Sequence, residues 1–159
     1  AAAYTHQLWV TADHEYMIVN DELDELSGLT KNGLSKTYVF NVRDLDEPKL
    51  IGSYTSTETS IDHNLYIRDS HVYQTNYQTG LRILDGTEIE RGTLREVGYF
   101  DTYTSDNDLG FNGAWSNYPF FESGIVIVSS IEQGLFVLQP TIEGRFVTNV
   151  YLPAVFGGE

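Results

Sequence analysis

The segment HNLYIRDSHVYQTNYQTGLRILD, residues 63–85, contains three short apolar runs that are separated by turn-forming residues. β-Branched and aromatic residues are frequent in these runs, and none of the runs has the length or period of an amphipathic helix. Each run therefore predicts a short β-strand. A fourth run, from Leu94 to Phe100, completes a unit of four predicted strands.

The same unit occurs on both sides of this segment. HNLY at 63–66 aligns with HQLW at 6–9 and with NGAW at 112–115, and three further apolar runs follow each of these motifs. Four short strands in roughly 40–50 residues are typical of a β-propeller blade. We therefore predict an all-β chain of three four-stranded blades. Their bounds are residues 4–59, 60–105 and 106–152, with a tail at 153–159.

Three blades are fewer than the roughly four to eight of a closed propeller. The two outer blade faces should therefore be apolar and should need a neighbour. We expect the chain to be part of a larger propeller, or to close one with other blades or protein subunits, in the same or a different chain. A twofold pair of such chains would have six blades.

The composition excludes several classes of function. Nine Lys and Arg residues against 23 Asp and Glu give a net charge of −14, which argues against nucleic-acid binding and against docking on anionic lipid. The chain has no cysteine, so disulfides, thiolate zinc sites and cysteine nucleophiles are excluded. Its apolar runs are too short for direct insertion into a membrane.

A set of motifs that covers about residues 6–140 resembles a known family. The motifs are HQLW at 6–9, NDELDE at 20–25, DHNLY at 62–66, YQTNY at 73–77 with GLR at 80–82, FNGAWS at 111–116 with YPFF at 118–121, and IVS at 127–129 with GLFVL at 134–138. Together they resemble the C-terminal part of the LVIVD-repeat propellers of the choice-of-anchor B family. The resemblance implies a propeller in an exported bacterial protein that is extracellular, at the cell surface or periplasmic.

The first candidate site is the repeat position that holds His6, His63 and Asn112. Equivalent positions on the inner strands of a propeller converge on its channel. These side chains, with Asp62 beside them, could ligate zinc or another transition metal. The alternative, which we favour because two histidines alone make a weak metal site, is that each side chain hydrogen-bonds a neighbouring loop.

Two acidic segments are candidate calcium sites, because Ca²⁺ binds six to eight oxygen ligands. One contains Asp21, Glu22, Asp24 and Glu25, and its alternative is a solvated acidic loop. The other contains Asp106 and Asp108 on either side of Asn107; its favoured interpretation is a plain turn.

Aromatic residues form a third candidate, the group Trp115, Tyr118, Phe120 and Phe121. On a surface they could bind carbohydrate or a protein partner. We favour a core position between blades, since large exposed apolar patches are uncommon.

The chain contains none of the common catalytic motifs, such as G-x-S-x-G or H-E-x-x-H. We therefore predict a non-enzymatic extracellular propeller module that serves as a structural or protein-interaction subunit, with Ca²⁺ as its candidate cofactor. The rival is a metal-dependent hydrolase or lyase that uses His6 and His63 as ligands and Asp62 or Glu22 as base. A carbohydrate-binding propeller is a further alternative.

Overall fold

The computed structural model describes residues 2–141 and, for the backbone only, residues 150–154. Nearly all its regular structure is β. The strands are β1 Thr5–Val10, β2 Tyr16–Asp21, β3 Leu34–Asn41, β4 Lys49–Thr59, β5 Asn64–Arg68, β6 His71–Thr75, β7 Leu81–Asp85, β8 Arg95–Phe100, β9 Ala114–Tyr118, β10 Val126–Ser130, β11 Gly134–Leu138 and β12 Val150–Ala154. Two short 3₁₀ helices lie at Lys31–Gly33 and Ile89–Arg91.

The strands form three antiparallel sheets of four. Sheet 1 has the order β1-β2-β3-β4, sheet 2 the order β5-β6-β7-β8, and sheet 3 the order β9-β10-β11-β12. Each strand thus pairs with its neighbour in sequence. This confirms the predicted all-β class with antiparallel four-stranded sheets. The last apolar run of the third repeat unit, residues 146–152, is expected to form its fourth strand and lies mostly outside the described residues. The observed β12 ends at Ala154, beyond residue 152, where the third blade was predicted to end.

Sheet 2 lies between the other two sheets, and a separate apolar cluster fills each interface. Alternate residues of a strand point to opposite faces, so sheet 2 contributes different side chains to the two clusters. The cluster between sheets 1 and 2 contains the buried residues Ile18, Val39, Leu65, Ile67, Val72, Leu84 and Leu94. The cluster between sheets 2 and 3 contains Tyr73, Leu81, Ile83, Ala114, Val126, Val128, Phe136 and Leu138.

At one point β4 of sheet 1 and the connection between β7 and β8 approach so closely that only glycine fits. A Cβ atom on Gly52 would lie 2.1 Å from the carbonyl oxygen of Gly92. Gly92 also has a φ of +71°, a conformation that side chains disfavour. The two glycines therefore allow β4 and this connection to pack in backbone contact.

The first strands of the three sheets lie side by side. Gln7 on β1 donates a hydrogen bond from Nε2 to the carbonyl of Leu65 on β5, at 3.1 Å. Arg68 at the end of β5 donates to the carbonyls of Pro119 and Phe121, which follow β9. The sheets are thus fixed along their first strands, where the candidate site lies.

In the described part of the chain, no helix has the length and apolar character to cross a membrane.

Candidate functional site

Two of the three repeat-position side chains meet in the structure. The rings of His6 and His63 stack with centroids 4.5 Å apart and planes 14° apart. His6 lies at a β-bulge, where the pairing of β1 with β2 shifts register between Thr5 and Gln7. A bulge re-aims the side chain that it contains. His63 immediately precedes β5, so the stacked pair joins the starts of the first strands of sheets 1 and 2.

A carboxylate that the repeat does not contain completes the group. Glu22 follows β2, whose last residue Asp21 pairs with Thr5. The Glu22 Oε1 atom lies 3.8 Å from His63 Nε2. One ligand atom each of His6, Glu22 and His63 lies within 4.8 Å of the others. Among the described residues, these three side chains form a group that could hold a metal ion. All three residues are candidates from the sequence, where Glu22 is predicted to be a calcium ligand or a base.

The other two members of the predicted group lie elsewhere. Asn112 is exposed and donates from Nδ2 to Glu132, not toward the histidines. The reason is local: Gly113, at a φ of +88°, turns the chain before β9 begins. Asp62 is fully buried, and its Oδ2 accepts a 2.8 Å hydrogen bond from Asn20 Nδ2.

Backbone carbonyls fix the tautomers of both histidines. His63 Nδ1 lies 2.6 Å from the carbonyl oxygen of Trp115, and His6 Nδ1 lies 3.2 Å from that of His63. A carbonyl oxygen only accepts, so in both contacts Nδ1 is the donor and the lone pair of the neutral ring is on Nε2. The Asn64 side-chain nitrogen also lies 2.8 Å from His63 Nδ1, and it donates to the same Trp115 carbonyl at 2.9 Å. Burial lowers the pKa of His63, which favours this neutral form, although Trp115 and Glu22 oppose the shift.

The acidic run Asp21 to Glu25 is not a solvated loop. All four carboxylate residues are buried, and their side chains contact different groups. Asp21 accepts the backbone N–H groups of Ala3 and Tyr4. Glu22 accepts a 2.6 Å hydrogen bond from the Tyr77 hydroxyl. The four predicted ligands therefore do not converge on one point, and calcium binding by this run stays a prediction.

Asp24 and Glu25 lie in a buried group of carboxyls with Asp62. Asp24 accepts a 2.8 Å hydrogen bond from the Tyr38 hydroxyl, while both carboxylate oxygens of Glu25 are buried without a partner. Burial, followed by the charges of Asp62 and Asp24, raises the pKa of Glu25 to about 10. Burial also raises the pKa of Asp24 and that of Asp62. Glu25 is therefore protonated at neutral pH.

Asp106 and Asp108 lie in an exposed turn. Asp106 Oδ1 accepts the backbone N–H of Asp108 at 3.3 Å and a hydrogen bond from Gln78 Nε2. An aspartate that accepts the N–H two residues ahead is the usual arrangement of an Asx turn. The geometry agrees with the favoured turn interpretation.

The aromatic group is more exposed than predicted. Trp115 is 49% exposed and Tyr118 45%, so neither residue is in the core between the three described sheets. Each occupies an exposed position of the short strand β9. Trp115 packs its ring against His63, with centroids 4.4 Å apart. Tyr118 contacts Phe120 and Phe121 edge to face.

Comparison with known proteins gives a fold but no activity. No family model matches the chain, and no curated protein matches it either. A solved structure, of a functionally unknown protein from Desulfotomaculum acetoxidans DSM 771, is similar with a TM-score of 0.60 and 13% sequence identity. The match covers 96% of this chain and 47% of that one, so this chain spans about half the length of the protein it matches. At this identity the likeness concerns fold alone.

Proposed function

We propose that the chain is a segment of a β-propeller that acts as a structural or protein-interaction subunit, and that its outer faces pack against further four-stranded sheets of the same kind. The observation that carries the proposal is the apolar character of the two faces that sheet 2 does not cover. A sheet exposes such a face to water only at a cost of about 25 cal/mol for each Å².

The outer face of sheet 1 carries an apolar row across all four strands. Val10 pairs with Met17, Met17 with Phe40, and Phe40 with Leu50. Their strand neighbours Ile18 and Val39 point into the interface with sheet 2. The row therefore points away from it. Leu50 is 56% exposed in this position.

A parallel row of the same face is also largely apolar. Leu8 pairs with Val19, and Val19 pairs with Tyr38. Leu8 is 49% exposed. Val19 is only 7% exposed, so the exposed apolar residues of the two rows are chiefly Leu8, Val10 and Leu50. Exposed apolar residues grouped in this way on a soluble protein mark a site of association.

The outer face of sheet 3 has the same character. Ile127 pairs with Tyr118 on one side and with Val137 on the other. The neighbours Val126 and Val128 are buried against sheet 2, so Ile127 points outward. Further sheets of the same kind would cover both outer faces. The likeness to a solved chain of about twice this length supports such neighbours.

The absence of a common catalytic motif in the sequence supports a non-enzymatic role, and the resemblance to exported propellers supports an extracellular or cell-surface location. The net charge of −14 fits a protein that stays soluble among other acidic surfaces.

Native mass tests the proposal. We expect light scattering of the purified chain to give a mass well above the 18.0 kDa of one copy, because the exposed faces associate. The double variant Leu8→Glu, Leu50→Glu places two charges on the outer face of sheet 1, at positions exposed enough to spare the fold. It should shift the mass toward 18.0 kDa. Leu45→Glu is the matched control, since Leu45 is 81% exposed in the β3–β4 loop.

A chain that remains monomeric at high concentration, and that does not increase the fluorescence of an apolar-surface dye, would contradict the proposal. So would a mass that the Leu45→Glu control lowers as much as the double variant does.

A further inference from the structure

His6, Glu22 and His63 form a group of polar side chains whose arrangement packing alone does not explain. Glu22 and His63 are buried, yet His63 Nε2 has Glu22 Oε1 at 3.8 Å as its polar neighbour, too far for a hydrogen bond. We propose that these three side chains bind one first-row dication of the Zn²⁺ class. The proposal does not depend on propeller closure, because the three residues lie within this chain.

The donor set selects the class of ion. Two imidazole nitrogens and one carboxylate oxygen suit Zn²⁺ and its neighbours in the first transition row, whereas Ca²⁺ and Mg²⁺ prefer oxygen ligands alone. Three protein ligands also leave a coordination position open for water. His6 is exposed, so this open side faces solvent.

The hydrogen bonds around the group prepare it for a metal. In metal sites a ligating histidine donates its other ring N–H to a carbonyl or carboxylate, which orients the ring and fixes the tautomer. Both histidines do so here, through Nδ1, to the carbonyls of Trp115 and His63. The Tyr77 hydroxyl holds Glu22 Oε1 in the same way, at 2.6 Å.

The distance between Glu22 and His63 is close to that which a metal site needs, and the ligand atom of His6 lies within 4.8 Å of both. Ligand atoms about 2.1 Å from a tetrahedral ion are about 3.4 Å apart. The 3.8 Å between His63 Nε2 and Glu22 Oε1 therefore has to close by only about 0.4 Å. The stacked rings must also tilt so that both lone pairs point at one ion. His6 is the exposed ring of the pair, and it has to tilt about its Nδ1 contact with the His63 carbonyl.

Metal titration tests this inference on the whole chain. After dialysis against a chelator, Zn²⁺ is titrated calorimetrically in excess Mg²⁺, which occupies the surface carboxylates. Co²⁺ provides a second probe, because its visible spectrum reports nitrogen ligands directly. We expect one ion per chain and a Co²⁺ spectrum that Zn²⁺ abolishes.

Conservative variants identify the ligands. Glu22→Gln keeps the acceptor for the Tyr77 hydroxyl but removes the negative charge, and His6→Ala changes an exposed residue. Each should weaken Zn²⁺ binding by more than the roughly 10–100-fold that loss of an outer partner causes, and Tyr77→Phe should fall within that range. His14→Ala and His71→Ala, which change the two histidines outside the group, are matched controls.

Two results would overturn the inference. One is absence of stoichiometric Zn²⁺ binding in the unaltered chain. The other is Zn²⁺ binding that persists in His6→Ala and Glu22→Gln, whether or not a control variant loses it, because the ion would then be held by groups outside this cluster.

Discussion

Replacing the buried Glu25 with glutamine should stabilise the protein, in a manner that depends on pH. The pKa of this carboxyl is raised from 4.5 to about 10 in the folded chain, chiefly by burial. The folded state therefore keeps a proton that the unfolded state releases. The stability that this proton contributes is fully present below pH 4.5 and is lost progressively as the pH rises toward 10.

The magnitude follows from the span between the two pKa values. Each pH unit above 4.5 costs about 1.4 kcal/mol, so at pH 7 the cost is about 3 kcal/mol. Glutamine has the same shape and no proton to lose. Glu25→Gln should therefore raise stability by about 3 kcal/mol at pH 7 and by less than about 1 kcal/mol at pH 5. For a chain of this size 3 kcal/mol is roughly 6–12 °C in melting temperature.

The assay is thermal unfolding from pH 5 to pH 8 in a chelating buffer, followed by tryptophan fluorescence. Glu90→Gln, at an exposed position, is the matched control and should leave the melting temperature unchanged at every pH. The reasoning fails if the unaltered chain becomes more stable from pH 5 to pH 8. It also fails if Glu25→Gln lowers the melting temperature equally at both ends of that range.

Two further predictions concern the same fold. Ca²⁺ added at pH 8 should raise the melting temperature of the unaltered chain, because the cation neutralises the buried carboxylates as the bound proton does at lower pH. The rise should be smaller for Glu25→Gln, and an equal rise in both chains would place Ca²⁺ elsewhere. Gly52→Ala should lower the free energy of unfolding by about 1–3 kcal/mol in urea titrations, since its Cβ would meet the Gly92 carbonyl at 2.1 Å. Ser53→Ala, at the exposed next position, should change it little, and equal losses in the two variants would refute the steric explanation.

Local sequence patterns were sufficient to predict the strands. Runs such as Leu81 to Asp85 combine β-branched or aliphatic residues with flanking turn residues, and the structure forms a strand at Leu81–Asp85. Strand pairing between sequence neighbours followed from the short connections. These features depend on interactions a few residues apart, which a single sequence contains.

The site was only partly predictable, because its geometry depends on register. The repeat brought His6 and His63 to equivalent positions, and they meet. Finding Glu22 beside them required the pairing of Thr5 with Asp21 and the bulge at His6. The hairpin of β1 and β2 was a usable signal, since its short turn limits the register to a few choices. The turn at Gly113 that removes Asn112 from the group has no equivalent in the first two repeats.

The acidic run shows why a charge pattern alone does not define a site. Glu22 and Glu25 lie in one turn, three residues apart and both buried, yet their surroundings differ. Glu22 faces a tyrosine hydroxyl and an imidazole, so a charged form of it has partners. The pKa of Glu25 is raised first by burial and then by the charges of Asp62 and Asp24, so a proton remains bound. The fold thus divides one run of carboxylates into a metal-ligand candidate on one side and a proton-holding group on the other. Glu22→Gln should therefore act on Zn²⁺ affinity, and Glu25→Gln on the pH dependence of stability.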